Sequence, residues 1–268
     1  MNDEDRVKFG IVENARRVWA IGAIHGSRSH LAGLHTLLES HFKSGDKLVY
    51  LGNYLGRGDA IIETVNELLL FRRALMARFN LVDDDILYLR GSQEEMWQKL
   101  TQLQIAQNPA QVLEWMLAQG VDATLEAYGI GRERARMRCR EGPLALARWS
   151  VELRQAVRAH PGHEQLLSSL RRAAFTDTGT ILFVHAGIDT SRPLAAQSDS
   201  FWWGAGRFDD ISEPYQGFRR IVRGRDPEGG GVTVGSIAAT VDSGCGFGGD
   251  LTATCFDSHG EVIESLEA

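Results

Sequence analysis

Five short polar motifs hold most of the side chains in this 268-residue chain that could do chemistry. They fall where predicted β-strands end, and they read GAIHG (22–26), GNYLGRG (52–58), RGSQEE (90–95), HAG (185–187) and VRGRD (222–226). Ligands of open α/β sheets bind beyond the carboxyl ends of strands, so the motifs predict a shared pocket. Guanidinium groups such as those of Arg57 and Arg225 bind phosphate bidentately, so phosphate is the chemistry to expect there.

The elements that must position these motifs follow from the apolar pattern. Strands are predicted at 17–22, 47–52 and 86–90. One helix is predicted over 29–43, and Asp59 is expected to cap a second helix, whose apolar stripe is Ile62, Val65 and Leu69. This alternation implies crossover connections and a mainly parallel sheet. Helix formers dominate residues 95–172, which predicts a helical insertion or cap within one domain of residues 1–268. The later segments 180–185, 218–223, 231–234, 238–242, 251–256 and 261–265 predict short strands of a second, mixed or antiparallel sheet.

Composition excludes several classes of protein. The net charge of −6 argues against a protein that binds nucleic acid by bulk attraction to phosphate. Three cysteines without a C-x-x-C pair predict neither a disulfide framework nor a zinc cage. The charged start, residues 1–8, has no apolar core typical of a signal peptide, and no apolar stretch is long enough for a membrane span. We therefore expect a cytoplasmic protein.

The order and spacing of the motifs resemble the calcineurin-like metallophosphoesterases, most closely the bacterial serine/threonine protein phosphatases and their diadenosine-tetraphosphatase relatives. That family reads G-D-x-H-G, G-D-x-x-D-R-G, G-N-H-E, H-A-G or H-G-G, and G-H-D. The resemblance covers about residues 17–257 and implies a four-layer α/β/β/α sandwich with the helical insertion. It also implies a two-metal phosphoesterase site at the five motifs.

Most of the metal ligands that the resemblance implies are replaced here. Ala23 stands where the family has an Asp ligand, Asn53 replaces the Asp that bridges the two metals, and Ser92 replaces an Asn ligand. The last His ligand becomes Arg225. Only His25 and His185 remain of six ligands, and in the family those two serve different metals.

The residues for acid catalysis are also replaced. The family's general-acid His becomes Gln93, and the Asp that orients it becomes Gly56, whereas the phosphate-binding Arg is kept as Arg57. The acidic residue of the third motif is kept as Glu94. A second phosphate-binding Arg is expected near 202–207, without a clear position.

These replacements remove the charges that a two-metal centre needs. Two divalent ions about 4 Å apart repel by on the order of 16 kcal/mol at an effective dielectric of about 20. Ala23 offers no donor atom, Asn53 a neutral amide, and Arg225 a permanent cation. We therefore expect no metal, no other cofactor and no catalytic residue. Without metals no water acquires a pKa near neutrality, and Gln93 cannot protonate a leaving alkoxide.

The sequence thus predicts a pseudophosphatase, a catalytically inactive member that serves as a binding, scaffolding or regulatory module. Its candidate anion-binding residues are His25, Asn53, Arg57, His185 and Arg225. The expected partners are a phosphoprotein, a related phosphatase or a phosphate-bearing small ligand, and neither nucleic acid nor membrane.

Three other interpretations stay open at this point. His25 and His185 could be held by hydrogen bonds alone, and Arg57 and Arg225 could pair with Glu94, Asp189 or Asp226. A hydrolase could keep one weak metal on Asn53, Ser92 and His185, assisted by Glu94 or Asp226. A structural subunit could fill the pocket with its own side chains. Elsewhere, His30, His35 and His41 do not share one helix face and are expected to be solvated, and the glycines around Cys245 predict a tight turn between strands.

Overall fold

The computed structural model describes residues 8–268, so the charged start at residues 1–7 lies outside the described part. Two β-sheets pack face to face. The strands are β1 Phe9–Val12, β2 Arg17–Ile21, β3 Asp46–Tyr50, β4 Ile86–Tyr88, β5 Ala173–Thr176, β6 Ile181–Val184, β7 Arg220–Arg223, β8 Thr233–Val234, β9 Ala238–Thr240, β10 Thr252–Asp257 and β11 Val262–Glu267. The α/β sandwich expected from the sequence is confirmed.

The five-stranded sheet contains the three strands predicted for the first third of the chain. Its order is β11-β10-β2-β3-β4, with β2, β3 and β4 parallel, as the alternation of strands and helices predicts. The crossover helices are α1 (Arg28–His41) and α2 (Ile61–Phe79). The strands β10 and β11 join this sheet in antiparallel orientation, whereas the sequence placed them in the second sheet. The apolar pattern of a segment predicts a strand but does not show which strand it pairs with.

The six-stranded sheet has the order β1-β5-β6-β7-β9-β8 and is mixed, as expected. The strands β6, β7 and β9 run parallel, and β5 and β8 run antiparallel to their neighbours β6 and β9. The sequence did not predict β1 and β5, which are four residues each and pair with one another in parallel. Such short segments become strands through pairing with a distant partner rather than through their own pattern.

An apolar layer between the sheets brings the motif-bearing strand ends together. Val18, Val49, Phe183, Val222 and Phe256 belong to this layer and are buried. Glycines at the strand ends let the two backbones touch. A Cβ at position 22 would lie 1.9 Å from the Val241 carbonyl oxygen, and one at position 224 would lie 2.1 Å from Leu51 Cβ.

The outer layers differ in kind. On the five-stranded sheet, α1 and α2 pack through apolar faces; the buried face of α2 includes Val65, Leu68 and Leu75, whereas Ile62 and Leu69 are only partly buried. The helix begins after Ala60, and no side chain caps it, so the cap expected at Asp59 is wrong. The six-stranded sheet is covered by a four-residue helix, α9 (Ser200–Trp203), together with 3-10 turns and aromatic side chains.

Between β4 and β5 the chain is helical, in agreement with the loss of strand signals. The helices are α3 Ser92–Leu100, α4 Pro109–Met116, α5 Asp122–Ala127, α6 Arg132–Glu141, α7 Pro143–Arg158 and α8 His163–Ser169, with a π-turn at Leu117–Val121 joining α4 to α5. Gly131 precedes the first residue of α6, and Pro143 is the first residue of α7. Leu125, Trp149 and Leu153 share one apolar core with α1 and α2, so the insertion is packed onto the sheet.

One histidine prediction on α1 is wrong. His35 is 3% exposed; it contacts Tyr50 Oη through Nε2 at 2.9 Å and Glu67 Oε1 through Nδ1 at 2.8 Å, and it stacks on Phe71. Its partners come from β3 and α2, which the spacing of histidines along α1 could not reveal. Within residues 8–268, no helix has both the length and the apolar character needed to cross a bilayer.

The layer between the sheets predicts a large effect of cavity formation. Phe183→Ala should lower the free energy of unfolding by about 3–5 kcal/mol, because Phe183 is fully buried and its loss leaves a void. The control Leu144→Ala, at a position 67% exposed, should change it by less than about 0.5 kcal/mol. Urea denaturation measures both variants, and equal losses would show that this layer does not carry the fold.

Candidate functional site

The five motifs meet at one edge of the sandwich, beyond the carboxyl ends of β2, β3, β4, β6 and β7. Backbone contacts tie them together: the Ala23 amide donates to the Gly224 carbonyl at 2.9 Å, and the His25 amide to the Asn53 carbonyl at 2.6 Å. The Arg225 amide donates to the His185 carbonyl at 2.8 Å. The convergence predicted from the sequence is therefore present in the structure.

The loops at this edge adopt strained conformations. His25, Asn53 and Arg57 have φ values of 54°, 58° and 58°, in the left-handed region that non-glycine residues rarely occupy. Such conformations persist where surrounding contacts determine them, and they cluster at functional sites. Three of the five candidate residues share this feature.

The side-chain amide of Asn53 is the centre of a buried network. Its Oδ1 accepts from Ser92 Oγ at 3.1 Å and from the Gln93 backbone amide at 3.0 Å. Its Nδ2 therefore faces the other way and donates to His25 Nε2 at 3.2 Å. Asn53 is fully buried. The amide oxygen, the atom that could bind a metal, is occupied by two hydrogen-bond donors.

Glu94 holds the loop of the second motif in place. Its buried carboxylate accepts from the backbone amides of Asn53 at 2.9 Å, Leu55 at 3.0 Å and Gly91 at 2.8 Å. Burial raises the pKa of Glu94, and the three amide hydrogen bonds partly offset this. Because its oxygens are used within the chain, Glu94 is a structural group and not a partner of Arg57.

The two histidines are buried and neutral near pH 7. His185 Nδ1 donates to the Leu51 carbonyl at 2.7 Å, which leaves Nε2 as an acceptor with no partner within the described residues. Burial lowers the pKa of His185 to about 3; the Leu51 bond opposes this shift and Arg225 adds to it. The pKa of His25 is lowered by burial first and then by Arg225, His185 and Arg57. His25 and His185 were expected among the anion-binding residues, but of the expected set only Arg57 and Arg225 carry charge near pH 7.

The guanidinium groups of Arg57 and Arg225 meet at one aromatic ring, that of Phe247. Their Cζ atoms lie 4.3 Å and 4.7 Å from its centroid. Arg225 also contacts Asp242 Oδ2 at 3.5 Å and donates to the Asp226 carbonyl at 2.9 Å. Over residues 8–268, no salt bridge is formed by Arg57, whose pKa is lowered by burial and by Arg225.

The structure does not pair these arginines with the carboxylates of Glu94, Asp189 or Asp226. The carboxylate that pairs with Arg225 is Asp242, two residues beyond β9. Asp242 and Phe247 were not predicted as site residues from the sequence. The available signal for Phe247 was a single bulky residue within the glycine-rich stretch 244–249, taken only as a tight turn.

The helical insertion is fastened to the loop of the second motif. The Arg57 amide donates to the Gly120 carbonyl at 3.1 Å, and the Gly56 amide to Thr124 Oγ1 at 3.0 Å. Gln93 Nε2 donates to the Gln119 carbonyl at 2.8 Å. A Cβ at position 56 would lie 2.2 Å from Gln93 Oε1, so Gly56 makes room for Gln93. The residue types at positions 56 and 93 are therefore coupled.

The residues present do not fit a two-metal centre. Ala23 has no donor atom, the Asn53 oxygen is occupied, and Arg225 brings a permanent charge to the last ligand position. Across residues 8–268, no group of three or more His, Cys, Asp or Glu side chains is arranged to hold a metal ion. Arg207, from the segment expected to supply a second arginine, has a side chain that is 78% exposed and lies near Asp210.

Comparison with solved structures identifies the architecture. A putative diadenosine tetraphosphatase superposes with a TM-score of 0.57 at 20% identity over 97% of this chain and 98% of its own. A protein serine/threonine phosphatase from Saccharomyces cerevisiae gives 0.54 at 16% identity, over 96% and 84%. The chain has a phosphoesterase-like fold. A cold-active protein-tyrosine phosphatase from a Shewanella species gives 0.53 at 16% identity, over 98% and 85%. No family model and no curated sequence matches the chain.

The neutral histidines of this phosphoesterase-like fold predict a specific acid sensitivity. The pKa of His185 is about 3 in the folded protein and 6.5 when the imidazole is not buried. Between these two pH values the unfolded chain therefore binds more protons than the folded chain. Stability therefore falls as the pH drops below about 6.5, by up to about 1.4 kcal/mol per pH unit for this group. His185→Asn keeps a donor for Leu51 and removes the titration, so its stability should fall less steeply between about pH 6 and pH 4.

Urea denaturation of the two proteins at several pH values measures this difference in slope. His259→Asn, at an exposed position, serves as the control and should follow the wild type. Parallel curves for the wild type and His185→Asn would contradict a buried, neutral His185.

Proposed function

We propose that this protein uses a phosphoesterase-like fold to bind a phosphate-bearing ligand without hydrolysing it, as a pseudophosphatase. The observation that carries the proposal is the orientation of Asn53, whose oxygen accepts two hydrogen bonds where the family pattern has a metal-bridging carboxylate. The amide offers its NH₂ group to His25 instead. The buried side chains of His25 and Asn53 are therefore uncharged near pH 7.

Two steps of hydrolysis, the activation of a water and the protonation of the leaving group, lack suitable residues in the described site. Within residues 8–268, no set of three or more His, Cys, Asp or Glu side chains could hold the dications that would activate a water. At the leaving-group side, Gln93 is hydrogen-bonded to the Gln119 carbonyl and can donate a hydrogen bond but not a proton. The imidazole of His25, which contacts the Phe247 ring, is neutral and hydrogen-bonded to Asn53, so it cannot act as a general acid near pH 7.

The binding of an anion is supported by the charges at the surface of the site. Arg57 is exposed and Arg225 is partly exposed. The uncharged side chains of the same site, His25, Asn53 and His185, are buried. Arg57 has no salt bridge in the described part of the chain, so its charge is available to a ligand. Guanidinium groups bind phosphate through paired N–H donors, which makes a phosphate monoester or phosphoprotein the matching chemistry.

Phosphate binding should depend on Arg57. Calorimetric titration of metal-stripped protein with inorganic phosphate should show binding that weakens at least about tenfold in Arg57→Ala, since a charge-assisted hydrogen bond contributes about 1.5–3 kcal/mol. Arg57→Lys should recover only part of the affinity, because an ammonium group cannot bind bidentately. Arg134→Ala, an exposed charge on α6, is the control and should leave the affinity unchanged. Absence of heat at millimolar phosphate in the wild type would overturn the proposal.

Hydrolysis should be absent even with metal supplied. With millimolar manganese, p-nitrophenyl phosphate should show no turnover above that of the buffer, and mass spectrometry of the dialysed protein should find no stoichiometric metal. The unpartnered Nε2 of His185 is the one imidazole acceptor at the site that could hold a single weakly bound ion. Turnover that survives repeated purification and disappears in Arg57→Ala would favour that rival hydrolase instead.

A further inference from the structure

The guanidiniums of Arg57 and Arg225 lie at the same aromatic ring. Their Cζ atoms are 4.3 Å and 4.7 Å from the Phe247 centroid, so the two Cζ atoms are at most 9.0 Å apart. The pKa of Arg57 is lowered by burial first and then by the charge of Arg225, whereas the charge of Asp122 opposes the shift. Of these two arginines only Arg225 forms a salt bridge within residues 8–268, with Asp242, so another contact must keep Arg57 beside it.

We propose that Phe247 is a positioning residue that holds the guanidiniums of Arg57 and Arg225 side by side for a phosphate ligand, a role that rests on the proposed function. The negative face of an aromatic ring attracts cations. A guanidinium that stacks on a ring through its face keeps its N–H edge free for phosphate. One ring can thus orient two arginines without occupying the groups that bind the anion.

The loop that carries Phe247 is firmly supported. Cys245 is buried and its thiol donates to the Ile24 carbonyl, with 3.3 Å between sulfur and oxygen. Gly246 packs against His25 so closely that a Cβ there would lie 2.3 Å from His25 Cβ. The Phe247 amide donates to the Gly244 carbonyl at 2.8 Å. The ring is therefore presented from a fixed base, although half of its own surface is exposed.

The opposite side of Arg57 is also fixed. A Cβ at Gly120 would lie 2.6 Å from Arg57 Cγ, so the stem of the arginine passes directly over this glycine of the π-turn. The Arg57 amide is bonded to the same residue. The stem is thus held by the insertion and the guanidinium by Phe247. Arg57 depends on the ring for the orientation of its charged end.

Substitutions at position 247 separate the effect of the ring from that of its bulk. Phe247→Ala and Phe247→Leu should both weaken inorganic phosphate binding by about tenfold, because two cation–π contacts are lost although leucine keeps an apolar side chain. Phe247→Trp should bind phosphate at least as tightly as the wild type, since tryptophan gives the strongest cation–π contact. Ile263→Ala, an exposed apolar side chain on the edge strand β11, is the control.

A second measurement requires no ligand. In nuclear magnetic resonance spectra of the full chain, the Arg57 Nε–H signal should lose its ring-current shift and gain mobility in Phe247→Ala and Phe247→Leu. Phe247→Trp should restore the order. Because the side chain at position 247 is half exposed, these variants should keep the wild-type circular dichroism spectrum.

The outcomes distinguish the two proposals. If the wild type binds phosphate and Arg57→Ala does not, while Phe247→Leu binds like the wild type, the positioning role is overturned and the phosphate site stands. Tighter binding in Phe247→Ala likewise overturns it, because the ring would then be an obstacle. If neither the wild type nor any variant binds phosphate, both proposals are overturned.

Discussion

The orientation of the Asn53 amide determines how the rest of the site is arranged. With Oδ1 held by Ser92 and the Gln93 amide, the NH₂ group must face His25. This makes His25 Nε2 an acceptor and keeps the imidazole neutral in a buried position. A carboxylate at position 53 would lack the NH₂ donor from which His25 Nε2 accepts, and it would bury a negative charge at a cost of several kcal/mol.

The helical insertion and the glycine-rich loop act on this arrangement from opposite sides. The insertion holds the second and third motifs through the π-turn, where Gly120 accepts from the Arg57 amide and Gln119 accepts from Gln93. The loop around Cys245 covers His25 and presents Phe247 to the two arginines. The positive charges consequently lie at the surface, while the imidazoles and the Asn53 amide form a neutral interior.

Residues of separate motifs are coupled in space. Gly56 leaves room for Gln93, which turns towards the insertion and donates to the Gln119 carbonyl. Arg225 is stabilised by Asp242, whose carboxylate also accepts from the Asp226 and Gly244 amides. These contacts show side chains with defined partners rather than a site left unfilled, which is the physical basis for proposing a retained binding role.

The sequence by itself determined the architecture, the edge at which the motifs meet and the uncharged or cationic side chains at positions 23, 53 and 225. Apolar periodicity, motif order and side-chain chemistry are local properties that need no coordinates. It did not determine that β10 and β11 join the first sheet, that His35 is buried between Tyr50 and Glu67, or that Arg225 pairs with Asp242. Only the tertiary structure decided the neutrality of His25 and His185 and the contacts of Phe247 with the two arginines. Burial, hydrogen-bond direction and cation–π contact depend on residues far apart in the chain, and such distances are fixed by packing.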